Sequence, residues 1–188
     1  MRPKRVICSA PSGAGKTTLL RGARQALPAL RFSISATTRA PRPQEREGEH
    51  YYFFSVPQFQ AGIDAGAFVE WEEVYPGTFY GTLHAELARI EAQGGVPLFE
   101  VDVKGGLSLK RKFGDDALAI FLAPPDIPTL EARLIARGTE TPEQIARRVD
   151  KAAWELSFQD RFDVVIVNRD LATAQAELNR TIEAFLAA

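Results

Sequence analysis

The sequence predicts an α/β protein: a parallel sheet with helices on both faces, interrupted by a smaller β-rich insertion. Three observations carry this expectation. Apolar runs at Arg5-Val6-Ile7-Cys8, Val96 to Val101, Ala117 to Leu122 and Val164 to Val167 read as strands, each followed by a helical segment. Strands separated by helical crossovers pair in parallel. The run Ala117-Leu118-Ala119-Ile120-Phe121-Leu122 is apolar at every position, as a strand covered on both faces must be. Residues 33–83 break this alternation with short aromatic runs and turns, which read as a separate β-rich lobe.

Taken in order, the first strand spans about residues 4–9, and the helix after it runs to about Leu27, where Pro28 ends it. Phe32 to Thr38 alternates like a strand, Pro41 and Pro43 with clustered charges make a loop, and Tyr51-Tyr52-Phe53-Phe54 is a second strand of the lobe. Ser55 with Val56-Pro57 starts a helix, since proline is tolerated in the first turn. Phe68 to Val74 is β-rich, Pro76-Gly77 turns the chain, and Phe79-Tyr80-Gly81-Thr82 leads to a helix from about His84 to Ala92, closed by Gly94-Gly95. Val96 to Asp102 is a strand ending in an acid, with a helix to about Phe113 behind it. After the buried strand at 117–122, Pro124-Pro125 breaks the run and helices follow at about 127–137 and 142–158. Asp163 to Val167 is the last strand and about 171–186 the last helix.

Composition bounds the function. The 188 residues, 45% hydrophobic, suffice for one core domain with small inserted lobes. The formal net charge is -1 and no long basic run exists, so nothing marks a nucleic-acid groove. Lys110-Arg111-Lys112 reads as a solvated helix end. Cys8, the single cysteine, has no partner for an internal disulfide and reads as buried filler in the first strand. His50 and His84 give no Cys/His metal cluster. No apolar leader precedes the first strand and no apolar stretch approaches membrane length, so a cytoplasmic protein without a membrane partner is expected.

The chemistry begins at Ser9-Ala10-Pro11-Ser12-Gly13-Ala14-Gly15-Lys16-Thr17-Thr18, between the first strand and the first helix. Gly13 and Gly15 let the backbone turn tightly and aim N–H groups at phosphate oxygens. The helix beginning near Lys16 adds its positive end. Lys16 reaches the β- and γ-phosphates, and the Thr17 hydroxyl is a direct Mg²⁺ ligand. Ala10 stands where the usual phosphate-loop pattern has its first glycine.

Further markers follow in order: Thr37-Thr38-Arg39-Ala40-Pro41-Arg42, Gly48-Glu49-His50-Tyr51, Phe68-Val69-Glu70-Trp71, Tyr80-Gly81-Thr82, Glu100-Val101-Asp102, Arg133, Arg137-Gly138-Thr139-Glu140-Thr141, Arg148 and Val167-Asn168. Over essentially the whole chain this set resembles the guanylate kinase family, in which a loop lacking the first glycine is normal. The resemblance implies Mg²⁺-assisted transfer of a phosphoryl group from ATP to GMP or dGMP. It implies the P-loop nucleoside monophosphate kinase fold: a parallel-sheet core (1–32, 84–126 and 159–188), a GMP-binding lobe (33–83) and a helical lid (127–158). ATP then falls to Ala10, Pro11, Ser12, Gly13, Ala14, Gly15, Lys16, Thr17, Thr18, Arg133 and Asn168. Arg39, Arg42, Tyr51 and Tyr80 resemble the clamp on the GMP phosphate, and Ser35, Glu70, Thr82 and Asp102 the groups around guanine. Lys16, Arg39, Arg137 and Arg148 resemble the catalytic charges. The assembly implied is a monomer or homodimer. Three departures stand out. Glu100 replaces the family's usual aspartate, Lys104 replaces a neutral amide, and the turn at Tyr75-Pro76-Gly77-Thr78 is one residue longer than usual.

Residue chemistry supports these roles independently. Two nucleotides brought together concentrate more negative charge than one lysine and one metal can hold, and arginine forks grip phosphate oxygens in pairs. Arg133 and Arg137, four apart on one helix face, repel each other unless solvated or bridged by an anion. A carboxylate at Glu70 accepts from guanine N1–H and the exocyclic amine but repels adenine N1, while Ser35 or Thr82 can donate to guanine O6. Asp102, at the carboxyl edge of its strand, suits either guanine or a Mg²⁺-bound water, or simply caps the next helix. Asn168 reads adenine or caps its turn. Two rivals remain at this stage: a kinase for another nucleoside monophosphate, and a non-catalytic guanylate-kinase-like binding module. Retention of Lys16, Thr17 and the lid arginines speaks against the module. Lys16→Ala is expected to fold normally and lose most GDP production, because the ammonium follows charge onto the transferring group; circular dichroism and a coupled ADP assay check both halves.

Overall fold

The computed structural model describes residues 3–138 and 141–188; the side chain of Arg137, and Thr139 and Glu140 of the lid run, lie outside the described residues. Five strands form one parallel sheet in the order β2 (Leu30–Phe32), β7 (Val96–Val101), β1 (Arg5–Ser9), β8 (Ala117–Ala123), β9 (Val164–Val167). Side chains of the central strands alternate between two cores. Val6 and Cys8 of β1 and Leu118, Ile120 and Leu122 of β8 pack with α1 (Lys16–Ala26) and α7 (Leu171–Ala187). Ile7, Ala119 and Phe121 face the opposite side, against α3 (His84–Ala92) and α4 (Val103–Phe113). Every residue of β8 is buried, as its unbroken apolar run requires. Burial pushes the Cys8 thiol up to about 12, so it behaves as an apolar filler.

The second sheet has the order β4 (Tyr52–Phe53), β3 (Ala36–Thr37), β6 (Thr78–Leu83), β5 (Phe68–Tyr75), with β3 parallel to β4 and β6 antiparallel to both its neighbours. The sequence predicts one strand from Phe32 to Thr38. The structure divides it: Leu30–Phe32 is the edge strand of the core, and Ala36–Thr37 belongs to the lobe. The period-2 pattern continues through the break, so it cannot register that the chain changes partners at Ser33–Ser35. Helix α2 (Val56–Asp64) opens on a capping box between Ser55 and Gln58. It buries Phe59 completely against the sheet, stacked 4.3 Å from Phe68 and 5.4 Å from Phe79.

The long turn is resolved by a bulge. Glu73 pairs with Phe79 and Tyr75 with Thr78, so one extra residue sits in β5 at Val74. Gly77, at φ 73°, makes the turn, and its amide donates to Glu73 Oε1 at 2.7 Å. From Glu73 back to Glu70 the register is regular, with Glu72 opposite Tyr80 and Trp71 opposite Gly81, before a second shift between Phe68 and Glu70. The extra residue is thus taken up beyond Glu70 and Tyr80.

Helices α5 (Ile127–Arg137) and α6 (Pro142–Leu156) pack on each other through Leu130, Leu134, Ile145 and Ala152. Asp126 and Thr141 cap them. The second helix ends at Leu156 and not at 158, because a short 3-10 turn at Gln159–Arg161 takes over. Among the described residues no helix is long and apolar enough to cross a membrane. Phe59→Ala is expected to cost about 3–5 kcal/mol, the range for emptying a buried aromatic site. Chemical denaturation reads the loss, and hydrogen exchange should localise it to residues 36–83.

Candidate active site

The phosphate loop leaves β1 at Ser9 and enters α1 through Gly15, whose φ of 90° is left-handed and favours glycine. A Cβ on Gly15 would lie 2.4 Å from Asn168 Nδ2, so the close approach also needs glycine. Gly15 offers no side-chain cap to α1, leaving the first amides of that helix to other acceptors. Asn168 is buried, and its Nδ2 donates to Ala14 O at 2.7 Å. Arg133 donates to Asn168 O at 3.0 Å. Arg148, from α6, donates to Ser12 Oγ. The end of β9 and helices α5 and α6 therefore reach the loop region. Beside it lies a cleft of about 410 Å³ lined by Gly13, Gly15, Thr18, Arg133, Asn168 and Leu171.

The end of β7 joins this half of the site to the other. Glu100 Oε1 accepts from Thr17 Oγ1 at 3.3 Å and lies 3.8 Å from Lys16 Nζ. Lys16 Nζ also donates to Val101 O at 3.4 Å. Asp102, next along, caps α4 by accepting from Gly105 N at 2.8 Å. On its other side lies Glu70, whose Oε2 and Asp102 Oδ1 would both touch a Cβ built on Gly105. Among the described contacts, the carboxylate that meets Thr17 belongs to Glu100, while Asp102 faces Glu70. Lys104 lies 5.9 Å from the Trp154 ring centroid on α6, so its charge turns toward the lid helix.

Glu70 accepts from Thr82 Oγ1 at 2.7 Å, and Thr82 is fully buried. Burial pushes the Glu70 carboxyl up to about 7; Asp102 and Glu72 add to this, and the Thr82 bonds oppose it. In this arrangement the Thr82 hydroxyl proton is committed to Glu70, so it orients the carboxylate and is not free for guanine O6. Ser35 lies on the crossing between the two sheets, its carbonyl accepting from Tyr52 N at 2.9 Å.

Of the residues expected to clamp the GMP phosphate, Tyr51 and Tyr80 lie together beside Arg39. Its guanidinium lies 5.3 Å from the Tyr51 ring centroid, and Tyr51 and Tyr80 meet edge to face at 6.0 Å. Glu45 holds Arg39 Nη2 at 2.8 Å and, through its other oxygen, the Arg42 amide at 2.8 Å. That hydrogen bond, together with Tyr80, raises the Arg39 pKa further against the opposing effect of burial. Arg42 is exposed at the loop's outer side. Burial raises the Tyr51 hydroxyl above its ordinary value, with Tyr80 and the carboxylates of Glu100 and Glu45 adding and Arg39 opposing.

Comparison with known proteins agrees with this geometry. A family model described as guanylate kinase matches residues 2–185. The chain is 49% identical over 181 residues to a guanylate kinase of Salinibacter ruber, covering 96% of each. It is 47% identical over 183 residues to one from Bacteroides fragilis, covering 97% of this chain and 90% of that one. The chain belongs to the guanylate kinase family. A crystal structure of the guanylate kinase from Anaplasma phagocytophilum superposes with a TM-score of 0.75 at 27% identity, covering 97% of this chain and 85% of that one.

Set against that family pattern, three acids of this guanylate kinase chain went without a role in the sequence reading. Glu45 is one, signalled only by its place six residues after Arg39 in a proline-stiffened loop. Glu100 is another, noted as a departure and now found beside Thr17. Glu155 of α6 is the third: it is buried, 3.8 Å from Lys151, and desolvation raises its carboxyl pKa against the pull of Lys151 and Lys16. Its signal was an acid within the otherwise apolar Ala152-Ala153-Trp154-Glu155-Leu156.

Glu70 makes a prediction with a definite sign. Its folded-state value lies above the ordinary carboxyl value, so the folded chain holds the proton more tightly than the unfolded chain. The associated stability is present at acid pH and lost as pH rises through about 7. Glu70→Gln removes that loss and is expected to be more stable than wild type at pH 8 by about 1–3 kcal/mol. The gain should vanish near pH 4; urea denaturation at both values checks it.

Proposed function

We propose that this guanylate kinase family member transfers the γ-phosphoryl group of ATP to GMP, giving ADP and GDP. One observation carries the reading: Glu100-Val101-Asp102 links two half-sites within three residues. Glu100 faces Lys16 and Thr17 of the phosphate loop, and Asp102 faces Glu70 of the base pocket. Phosphoryl transfer needs two nucleotides aligned in this way, charge neutralised between them, and water kept out.

On the donor side, the loop amides and Lys16 hold the ATP phosphates, and the cleft lined by Arg133 and Asn168 receives the nucleoside. Asn168 acts first on the loop, through Ala14, leaving its amide oxygen as the group to read adenine. Arg148, already at Ser12, and Arg137 supply positive charge as the γ-phosphoryl moves. The Thr17 hydroxyl and Glu100 carboxylate form an all-oxygen pair suited to Mg²⁺, which keeps most of its waters. No cluster of three or more His, Cys, Asp or Glu side chains able to hold a metal occurs among the described residues. When bound, Mg²⁺ neutralises the phosphate oxygens. We therefore give the water-mediated role to Glu100 and, of the roles the sequence left open for Asp102, the one beside the base.

On the acceptor side, Arg39, Arg42, Tyr51 and Tyr80 grip the GMP phosphate. Arg39 must then exchange Glu45 for that phosphate, so Glu45 holds the fork in place until the acceptor arrives. Glu70, oriented by Thr82, accepts from guanine N1–H and the exocyclic amine, with Ser35 and Asp102 beside it. Residues 33–83 act as the GMP lobe and 127–158 as the lid, over the 1–32, 84–126 and 159–188 core. The lobe and lid would close on the core once both nucleotides are bound. We place the protein in the cytoplasm, acting as a monomer or homodimer on free nucleotides.

A coupled assay with ATP, Mg²⁺ and separate monophosphates tests the reading. Product is expected from GMP and dGMP only; comparable turnover of AMP or a pyrimidine nucleotide would overturn it, and no turnover at all would favour a binding module. Glu70→Gln places an amide N–H₂ against a guanine donor, and leaving such a group unpaired costs about 1–3 kcal/mol. A loss of roughly tenfold or more in kcat/KM for GMP is expected, with ATP affinity unchanged and the GMP/AMP ratio narrowed.

A further inference from the structure

The chain passes between its two sheets twice, at Ser33–Ser35 between β2 and β3, and at Leu83–His84 between β6 and α3. Glu86, in the first turn of α3, meets both passages. Its side chain is fully buried. Oε1 accepts from Ile34 N at 2.9 Å and Arg89 Nη2 at 2.8 Å. Oε2 accepts from Tyr52 OH at 2.9 Å and Arg89 Nε at 2.8 Å. Burial works against the charged form, but Arg89, the Ile34 amide and Tyr52 outweigh it and hold the carboxyl below its ordinary range.

An acid three residues after a helix cap ordinarily folds back on the cap's own amide. Glu86 holds that position after Leu83, which makes no side-chain cap, yet its carboxylate spans to residues 52 and 34 positions away in the chain. The charge is therefore spent on the joint between core and lobe. Its lobe partner is telling. Tyr52 is next to Tyr51, and successive strand residues point to opposite faces. Tyr52 turns to Glu86 while Tyr51 turns to Arg39 and Tyr80.

We propose that Glu86 is a positioning residue for the acceptor: by tying Ile34, α3 and Tyr52 together, it fixes the angle at which the lobe presents its phosphate clamp and base pocket to the phosphate donor. This rests on the assignment of residues 33–83 as the GMP lobe. Without the tie the lobe samples more orientations, and the apparent affinity for GMP falls by the fraction that remains competent. ATP, held by the loop, α1 and β9, is untouched.

Tyr52→Phe tests this, since it keeps the ring and removes only the hydroxyl on the lobe side. Glu86→Gln is the second variant, Glu70→Gln the control for the lobe assignment, and Ile182→Val in α7 a control for mere loss of stability. Tyr52→Phe is expected to raise KM for GMP about threefold to tenfold, with KM for ATP within about twofold of wild type. Glu86→Gln, where folded, should do the same more strongly, and Ile182→Val should move neither KM. If Glu70→Gln impairs GMP use while Tyr52→Phe leaves KM for GMP unchanged, or raises both KM values equally, the Glu86 proposal is wrong and the lobe assignment stands. If Glu70→Gln leaves GMP use intact, the lobe assignment fails and the proposal falls with it.

Discussion

The parallel pairing of β1 with β7 sets the rest of the molecule. Cys8 lies opposite Glu100 and Ser9 opposite Val101, so the phosphate loop leaves one strand where the other delivers its acids. Parallel strands end at the same edge of the sheet, and that edge is where doubly wound folds place ligands. The pairing is stable because both faces of both strands are buried, Val6 and Leu98 in one core and Ile7 and Phe99 in the other. Packing thus fixes, to within a hydrogen-bond distance, where Lys16 and Thr17 stand relative to Glu100 and Asp102.

Around that edge, positive charge is paired within the protein. Lys16 rests near Glu100, Arg39 on Glu45, and Arg148 on Ser12. Each cation is held in a defined place by a group that a phosphate can replace, which limits the reorganisation that binding requires. Glu70 is the opposite case. It is an acid pressed into a partly dry pocket beside Asp102, with its carboxyl raised to about 7, and the fold bears that cost. In the role proposed for Glu70, desolvation would aid discrimination, because a solvated carboxylate would gain little from exchanging water for guanine.

The β-rich insertion packs on a small core of its own. Its interior is a small aromatic cluster around Phe59, Phe68 and Phe79. It is tied to the core at several points among the described residues. Val69 joins the core cluster around Phe99 and Phe121, Lys112 donates to Val69 O at 2.8 Å, and Glu86 anchors the crossings. Each of these ties bears on where the side chains of residues 33–83 point.

The sequence alone determined the α/β class, the guanylate kinase resemblance and nearly every helix and strand of the core, and it singled out the glycine-rich loop with the arginines, tyrosines and acids proposed for the two half-sites. Local chemistry specifies these: glycine geometry, capping, apolar runs and ordered motifs are written in adjacent residues. Tertiary structure decided what depends on distant partners. It divided Phe32 to Thr38 between two sheets, because alternation is the same whichever strand lies alongside. It absorbed the long turn as a bulge at Val74, gave Glu100 rather than Asp102 the contact with Thr17, and committed the Thr82 hydroxyl to Glu70. It also revealed Glu45, Glu155 and Glu86, acids that look like surface charge in the sequence. What a carboxylate does depends on which donors the fold brings to it, and the partners of Glu86 lie 52 and 34 residues away.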